Sequence, residues 1–226
     1  MIDVRETVEA KVNSLWKEFK GEEFCRFSPH SIAQVPEEGL LFIGINPSLN
    51  KKAEQKLIER NDIKCEFHTL TNDPNGEYRY FRKFFEVSKK TNLDWGHIDI
   101  LYNRETNQKK VEKILKTERG KDFIYKQCQI TKEVLDKIID LDKPRIFVVT
   151  NTLARNLLGD YHEEENDQKS THFIGYDFIW DEELGTYTYK NNPFFFTSML
   201  TGQRALDNGS FKRLVWHINF VKNKVG

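Results

Sequence analysis

The sequence predicts a three-layer α/β/α fold, in which helices cover both faces of a central four-stranded parallel sheet and a β-hairpin is inserted. Four short apolar runs are each closed by a polar turn, as buried strands are. Segments with helical spacing separate these runs, and this alternation is typical of a parallel sheet covered on both faces. The chain contains neither an internal repeat nor a linker, so we expect a single domain over residues 1–226, with an insertion at about residues 160–192.

The strands are predicted from apolar runs that end at a breaker or a polar turn. The four runs are Leu40–Ile45, His97–Tyr102, Pro144–Thr150 and Phe194–Ser198. Two further runs, Tyr176–Trp180 and Thr186–Lys190, flank the turn-forming segment Asp181–Gly185. That pattern predicts a hairpin just before the last strand.

Helices are predicted where apolar residues recur at spacings of three and four. The segments are Thr7–Phe19, Lys51–Arg60, Tyr78–Lys90, Gln108–Asp140 with a break near Gly120, a short helix capped by Asn151 that ends at Leu158, and Phe211–Val221. A dense turn cluster is expected at Asn72–Gly76.

The charge balance argues against strong, diffuse binding of nucleic acid. Lysine and arginine together number 35, as do aspartate and glutamate, so the formal net charge is zero. Strong non-specific binding to nucleic acid usually needs a basic surface. A local basic groove on a neutral protein is still compatible with this composition.

The cysteines and histidines predict neither a metal nor a cofactor. Cys25, Cys65 and Cys128 are far apart, without the C-x-x-C spacing of metal sites, and three thiols supply neither a disulfide framework nor a four-thiolate cluster. The six histidines are scattered. The start of the chain has no apolar signal core, and no run of 18 apolar residues occurs, so we expect a cytoplasmic monomer without a membrane segment.

Polar side chains follow each predicted strand, at the edge of the sheet where open α/β proteins bind ligands. These turns contain Asn46–Ser48, Asn103–Gln108, Asn151–Thr152, and Ser198 with Thr201–Arg204. Amides donate and accept hydrogen bonds together, which suits recognition of the edge of a planar base. The scarcity of histidine and cysteine there argues against nucleophilic acyl transfer. The alternative is that the same side chains only cap the helices that follow.

The segment Gly44–Leu49 resembles the first motif of the uracil-DNA glycosylase superfamily, in the Gly-Ile/Met-Asn-Pro-Gly form of its mismatch-specific and single-strand-selective branches. Ile100–Asn103 is similar to the end of the family's second strand, where an asparagine reads the uracil edge. Arg145–Asn151 falls where the third strand is expected. Thr197–Arg204 takes the place of the last motif, His/Asn-Pro-Ser-x-x-Ser, but lacks both its histidine or asparagine and its proline.

The resemblance implies a hydrolase that cleaves the N-glycosidic bond of uracil or a related base in single- or double-stranded DNA. Asn46 would position the attacking water, and Ser198 would replace the missing residue of the last motif. The base would be held by Gly44, Ile45, Pro47, Ser48, Tyr78, Phe81, Asn103 and Asn151. The DNA would be contacted by Thr201, Gly202, Gln203 and Arg204.

Two other functions stay open at this stage. One is a module of the same fold that binds a nucleobase or nucleic acid without cleaving it, and the altered last motif favours it. The other is a hydrolase of small molecules that uses the same cleft. Some of the candidate residues also have ordinary structural explanations, because Asn103 could cap a helix and Phe81 could belong to the core.

Overall fold

The computed structural model describes residues 1–49, 54, 63–70, 79–141, 143–160, 171–202 and 205–225. The predicted helix Lys51–Arg60 (apart from residue 54) and the predicted turn cluster Asn72–Gly76 lie outside these ranges. Within them the α/β class is confirmed. The helices are α1 (Arg5–Glu18), α2 (Arg82–Thr91), α3 (Gln108–Ile114), α4 (Glu118–Ile139), α5 (Thr152–Leu158) and α6 (Asn208–Val225).

The strands include several short ones that the sequence patterns did not predict. They are β1 (Ile2–Asp3), β2 (His30–Ile32), β3 (Gln34–Val35), β4 (Gly39–Gly44), β5 (Glu66–His68), β6 (Trp95–Asp99), β7 (Arg145–Val149), β8 (Gly159–Asp160), β9 (Tyr176–Asp177), β10 (Ile179–Asp181), β11 (Thr186–Tyr189) and β12 (Asn192–Phe196). Two short turns of 3₁₀-helix cover Glu23–Cys25 and Arg79–Phe81.

The main sheet is mixed and has six strands in the order β10–β11–β12–β7–β4–β6. The pairs β12–β7, β7–β4 and β4–β6 are parallel, whereas β10–β11 and β11–β12 are antiparallel. The hairpin therefore extends the sheet beyond its last parallel strand. Its first arm is β10. Tyr176–Asp177, which the sequence pattern assigns to that arm, pairs instead in parallel with Gly159–Asp160 in a separate small sheet.

Alternate residues of β4 enter two different hydrophobic cores. Leu41 and Ile43 belong to a core shared with α1, α4 and α5, and Leu40 and Phe42 belong to a core shared with α2 and α6. Successive side chains of a strand point to opposite faces of its sheet, so both faces of β4 are covered. This explains why the strand reads as a continuous apolar run.

Strand β6 is shifted relative to the prediction, because it begins at Trp95 and ends at Asp99. Asp99 aligns with Gly44, the last residue of β4, and two further hydrogen bonds, from Ile100 N–H to the Gly44 carbonyl (3.1 Å) and from Leu101 N–H to the Ile45 carbonyl (2.9 Å), end the pairing. The apolar residues that follow are still buried, and the Oε1 atom of Gln127 on α4 accepts hydrogen bonds from the backbone N–H groups of Tyr102 (2.7 Å) and Asn103 (3.2 Å). A buried side chain thus replaces the strand ladder at this point.

The predicted break in the helix near Gly120 occurs three residues earlier, at Thr117. The Thr117 hydroxyl accepts a hydrogen bond from the Gly120 N–H (3.0 Å), which caps α4. A Cβ atom at Gly120 would collide with the backbone carbonyl of Ile114, at the end of α3. The glycine therefore allows the two helices to meet closely rather than breaking either of them.

Cys25, Cys65 and Cys128 are buried and free. Within the described ranges, no helix is long and apolar enough to cross a membrane.

Candidate functional site

A cavity of about 290 Å³ opens at the carboxyl ends of β4, β6 and β7. Segments around β2 and β5 and the start of α2 complete its walls. Among the predicted site residues, those that line it are Gly44, Ile45, Asn46, Pro47, Ser48, Phe81 and Asn151. The structure thus brings the turn after β4 and the turn after β7 into one concave site, at the position where open α/β sheets bind ligands.

The turns after β4 and β6 are joined by several hydrogen bonds. The Glu105 N–H donates to the Pro47 carbonyl at 3.0 Å. The Leu49 N–H donates to the Thr106 hydroxyl at 3.0 Å, and that hydroxyl donates to the Leu49 carbonyl at 2.6 Å. These contacts fix the two turns relative to each other, which gives this wall of the cavity a defined shape.

The Asn46 side chain reinforces the same junction. Its Nδ2 atom lies 2.7 Å from the Glu105 carbonyl, 3.1 Å from the Asn103 carbonyl and 3.1 Å from the carbonyl of Pro47. These acceptors fix the orientation of the amide, because Oδ1 cannot donate to them. Since Asn46 also lines the cavity, Oδ1 is the side-chain atom that can accept a hydrogen bond from a ligand or a water.

Asn103 is only 3% exposed and does not belong to the lining of the cavity. Its Oδ1 atom is buried and finds no hydrogen-bond partner among the described residues. The helix that follows is capped by Asn107, whose side chain accepts from the Lys109 N–H at 3.0 Å. Asn103 therefore does not cap this helix, and the structure places it behind the wall of the cavity.

Asn151 has a structural role in addition to its place in the lining. Its Oδ1 atom accepts hydrogen bonds from the N–H groups of Leu153 (2.8 Å) and Ala154 (3.1 Å), which is how an N-cap residue satisfies the first turn of a helix. Its Nδ2 atom donates to Oε1 of Gln108 at 3.1 Å. The capping alternative is therefore what the structure shows for this side chain.

The most perturbed ionisable groups of the cavity are His97 and Asp99 on β6. Burial, followed by the nearby His30, lowers the pKa of His97 to about 3. Burial raises the pKa of Asp99 to about 7. The His97 Nε2 atom is 3.7 Å from Asp99 Oδ1, which is too long for a hydrogen bond, and neither ring nitrogen of His97 has a hydrogen-bond partner among the described residues.

Gly44 makes room for this pair of side chains. A Cβ atom there would overlap Oδ1 of Asp99 and would lie 3.0 Å from Nε2 of His97. The Asp99 carboxyl therefore lies against the backbone at the end of β4. In the sequence, Asp99 is only a single aspartate within an apolar run, and such a residue can also be an ordinary buried hydrogen-bonding residue. The sequence alone therefore does not mark it as a site residue.

Aromatic rings form another part of the wall. Phe81 and Tyr80 both line the cavity, with their ring centroids 5.2 Å and 6.0 Å from that of His97 and near-perpendicular ring planes. Phe81 also contacts Trp95 at 5.8 Å, so it is partly a core residue. Tyr78, the other predicted aromatic contact, lies outside the described residues.

A charged cluster that the sequence pattern does not predict lines the cavity at the turn after β6. Arg104, with a side chain 10% exposed, pairs with Glu66 and donates to the Ser28 carbonyl (3.0 Å) and to His30 Nδ1 (3.3 Å). Burial and then the Arg104 charge lower the pKa of His30 to about 4. His68 stacks near His30, with ring centroids 6.4 Å apart.

The predicted residues of the last motif are not gathered into the cavity. Ser198 is exposed and outside the lining, whereas its neighbour Met199 contributes to the wall. Thr201 and Gly202 follow on the surface side and are also outside the lining. Gln203 and Arg204 lie outside the described residues.

In the described part of the chain, no group of three or more histidine, cysteine, aspartate or glutamate side chains is placed to hold a metal ion. Comparison with known proteins found no match to a family model, a curated protein or a solved structure. The function therefore has to be inferred from the chemistry of the cavity.

Proposed function

We propose that this chain is a hydrolase of the uracil-DNA glycosylase kind, which removes uracil or a related base from DNA. The observation that carries the proposal is the position of Gly44–Ser48, which lines a cavity at the carboxyl ends of parallel strands. The proposal includes the fold of that superfamily, a four-stranded parallel sheet within three α/β/α layers, here extended by the hairpin.

The size and lining of the cavity suit a single flipped-out base. Its volume of about 290 Å³ is near the lower end of the roughly 300–1,000 Å³ found for small-molecule sites. The ring of Phe81 and the fixed amide of Asn46 both line it. An aromatic surface and a hydrogen-bonding edge are what a site needs to hold an extruded base by stacking and by its polar edge.

The hydrolysis needs a positioned water and stabilisation of the departing base. With Nδ2 of Asn46 bound to loop carbonyls, its Oδ1 can accept a hydrogen bond from the water and orient it. Negative charge develops on the base as the glycosidic bond breaks, and fixed donors or cations near it lower the barrier. Arg104, held in the wall by Glu66, supplies such a charge at the cavity.

The substrate is proposed to be single- or double-stranded DNA, bound by a monomeric, cytoplasmic protein without a metal or cofactor. Thr201, Gly202, Gln203 and Arg204 are the residues proposed to contact the backbone next to the extruded base. The net charge of zero fits local contacts rather than a broad basic surface.

The direct test uses single- and double-stranded oligonucleotides that contain one uracil. After incubation with the protein, alkali converts each abasic site to a strand break, which is counted on a denaturing gel. We expect breaks at the uracil and none in the matched thymine oligonucleotide. If strands remain intact with the enzyme in excess, uracil excision is refuted.

A matched pair of variants separates the role of Asn46 in the reaction from its role in the loop. Asn46→Ala removes both the Oδ1 atom and the links to the loop after β6, whereas Thr106→Val removes links between the same loops and keeps Asn46. We expect a loss of excision of about 10²-fold or more for Asn46→Ala, as for loss of a fixed hydrogen-bonding group in an active site, and a much smaller loss for Thr106→Val. Equal losses would show that only the loop geometry matters.

A second candidate function is a module that binds a nucleobase or nucleic acid without cleavage. The position of Ser198 favours it, because this exposed residue is not in the lining and does not supply the missing group of the last motif there. A shift of uracil oligonucleotides in a native gel, without strand breaks after alkali, would support this second function.

A further inference from the structure

The carboxyl group of Asp99 lies in the cavity without a structural partner among the described residues. It lies against the backbone of Gly44, where only the absence of a Cβ atom leaves room for it, and it lines the same cavity as Asn46. No hydrogen bond to the Asp99 carboxyl is found among the described residues. Buried carboxylates are normally satisfied by hydrogen bonds or paired with a cation, and such exceptions concentrate at functional sites.

The neighbouring His97 does not neutralise this carboxylate. The imidazole is buried, and the low pKa of His97 keeps the ring uncharged near neutral pH. At 3.7 Å, Nε2 is also beyond hydrogen-bond distance of Asp99 Oδ1. The other carboxylate in the lining, Glu105, is already engaged: it accepts from the Asn107 N–H at 2.8 Å and lies 3.4 Å from the Lys110 ammonium. Of these two carboxylates among the described lining residues, Asp99 is therefore the one that is available to a ligand.

A carboxylate in this position can remove a proton from the attacking water, which an amide cannot do. The Asn46 amide can orient a water molecule, but it is not basic enough to remove a proton. A general base needs an acceptor that is ionised and whose pKa is near the working pH, and burial of Asp99 raises its pKa into that range.

We propose that Asp99 is the general base of the hydrolysis proposed above, and that Asn46 only orients the water. The inference rests on the proposed function. In the step, the water oxygen bonds to C1′ of the sugar, one water proton passes to Asp99, and the C1′–N bond breaks with its electron pair remaining on the base. The anionic base then takes a proton from solvent, and Asp99 returns its proton to solvent.

Other ionisable side chains also line the cavity around Asp99. They are His97 on the same strand, Tyr80 before α2, His30 and His68 on β2 and β5, and Arg104 and Glu105 in the turn after β6. His97 and His30 have pKa values of about 3 and about 4, so both stay neutral where Asp99 titrates. A change of rate near pH 7 that disappears with Asp99 is therefore assigned to this carboxyl.

The experiment compares single-turnover excision by the wild type, Asp99→Asn and Asp94→Asn between pH 5.5 and 8.5. Asp94 is a matched control, since it is exposed and lies just before the opposite end of β6. The wild-type rate should rise with pH and level off above about pH 7–8. Asp99→Asn should lose about 10²- to 10⁴-fold at pH 8, as for loss of a general base, and should lose the pH dependence. Asp94→Asn should stay within twofold of the wild type.

The outcomes separate the two proposals. If the wild type excises uracil and Asp99→Asn retains its rate and pH profile, the role of Asp99 is wrong while the proposed function stands. A wild-type rate that is constant over this pH range overturns the role of Asp99 even if the variant fails to fold. If the wild type excises no base from any oligonucleotide, the proposed function fails and the general base with it. Binding of uncleaved oligonucleotide should be similar in all three proteins.

Discussion

Replacing Asp99 with asparagine should make the protein more stable at alkaline pH, relative to the wild type, and this prediction needs no knowledge of the substrate. Burial raises the pKa of this carboxyl to about 7, from 3.8 for the free group. In the folded protein the charged form is therefore disfavoured. Asparagine has nearly the same shape but stays neutral, so it avoids that unfavourable charge.

The size and sign of the effect follow from proton linkage. Between about pH 4 and pH 7 the folded state holds a proton on Asp99 that the unfolded state has lost, so the wild-type free energy of unfolding falls as pH rises. The whole shift corresponds to about 4 kcal/mol at 1.36 kcal/mol per pKa unit, of which about 2–3 kcal/mol falls between pH 5 and pH 8. Because 18% of the side chain reaches solvent, these figures are upper values.

Urea unfolding of the wild type and Asp99→Asn at pH 5 and pH 8 measures this effect. The advantage of the variant over the wild type should grow by up to about 2–3 kcal/mol between the two pH values. His97, with its lowered pKa, contributes the opposite trend, since stability is lost as pH falls below 6.5, but it does so in both proteins. Asp94→Asn should follow the wild type. An advantage that is the same at both pH values would refute the burial argument for Asp99.

Three further variants test the site geometry by urea unfolding. Gly44→Ala places a Cβ atom well within 3.0 Å of the Asp99 carboxyl oxygen and should cost about 1–3 kcal/mol, whereas Gly209→Ala, whose Cβ would approach no atom closer than 3.0 Å, should cost less; equal costs would contradict the close approach. Asn46→Asp puts a carboxylate against three carbonyl oxygens and should destabilise by about 2–4 kcal/mol, so an unchanged midpoint would refute the orientation of the amide. Gln127→Leu leaves two buried backbone N–H groups without their acceptor and should cost about 2–4 kcal/mol, and a cost below 1 kcal/mol would mean that these groups find other partners.

Apolar runs and apolar periodicity were sufficient to predict the strands and helices that bury a continuous face. The strand predicted at Leu40–Ile45 is found at Gly39–Gly44, a shift of one residue, because both of its faces are buried. The helix predicted at Phe211–Val221 is longer, at Asn208–Val225, since its polar ends carry no apolar signal. Periodicity shows what a face buries, and it is a weaker guide to where an element ends.

The edges of the sheet depended on contacts between distant segments. The sequence pattern of Ile100–Tyr102 is typical of a strand, and the Leu101 N–H still donates to the Ile45 carbonyl at 2.9 Å. From Tyr102 onward, however, the distant side chain of Gln127 accepts the backbone hydrogen bonds. Similarly, Tyr176–Asp177 has a strand-like composition that the sequence assigns to the hairpin, yet it pairs with Gly159–Asp160. The choice of partner is a tertiary property that composition does not contain.

In the candidate site, too, features that are local in the sequence could be predicted, and contacts between distant segments could not. The turn at Asn46–Ser48 could be found because it is continuous in the chain and follows a buried strand. The cluster around Arg104 could not be found, since Glu66 and Ser28 are 38 and 76 residues away from it. Nothing in the sequence near Arg104 indicates a contact with residues so far away in the chain.

The glycine of the first motif and the carboxyl of Asp99 form one structural unit. Asp99 reaches the cavity because its strand ends in register with Gly44, and the register of parallel strands decides which face each side chain takes. A shift of one residue would turn the carboxyl into the opposite core, and a larger residue at position 44 would push it away from the strand end. The segment Gly44–Ser48 therefore has two roles. Its turn carries Asn46, and its glycine leaves room for the Asp99 carboxylate, which the sequence pattern does not predict. A variant at Gly44 should consequently impair the functions of both side chains, which substitutions at Asn46 or Asp99 alone would not do.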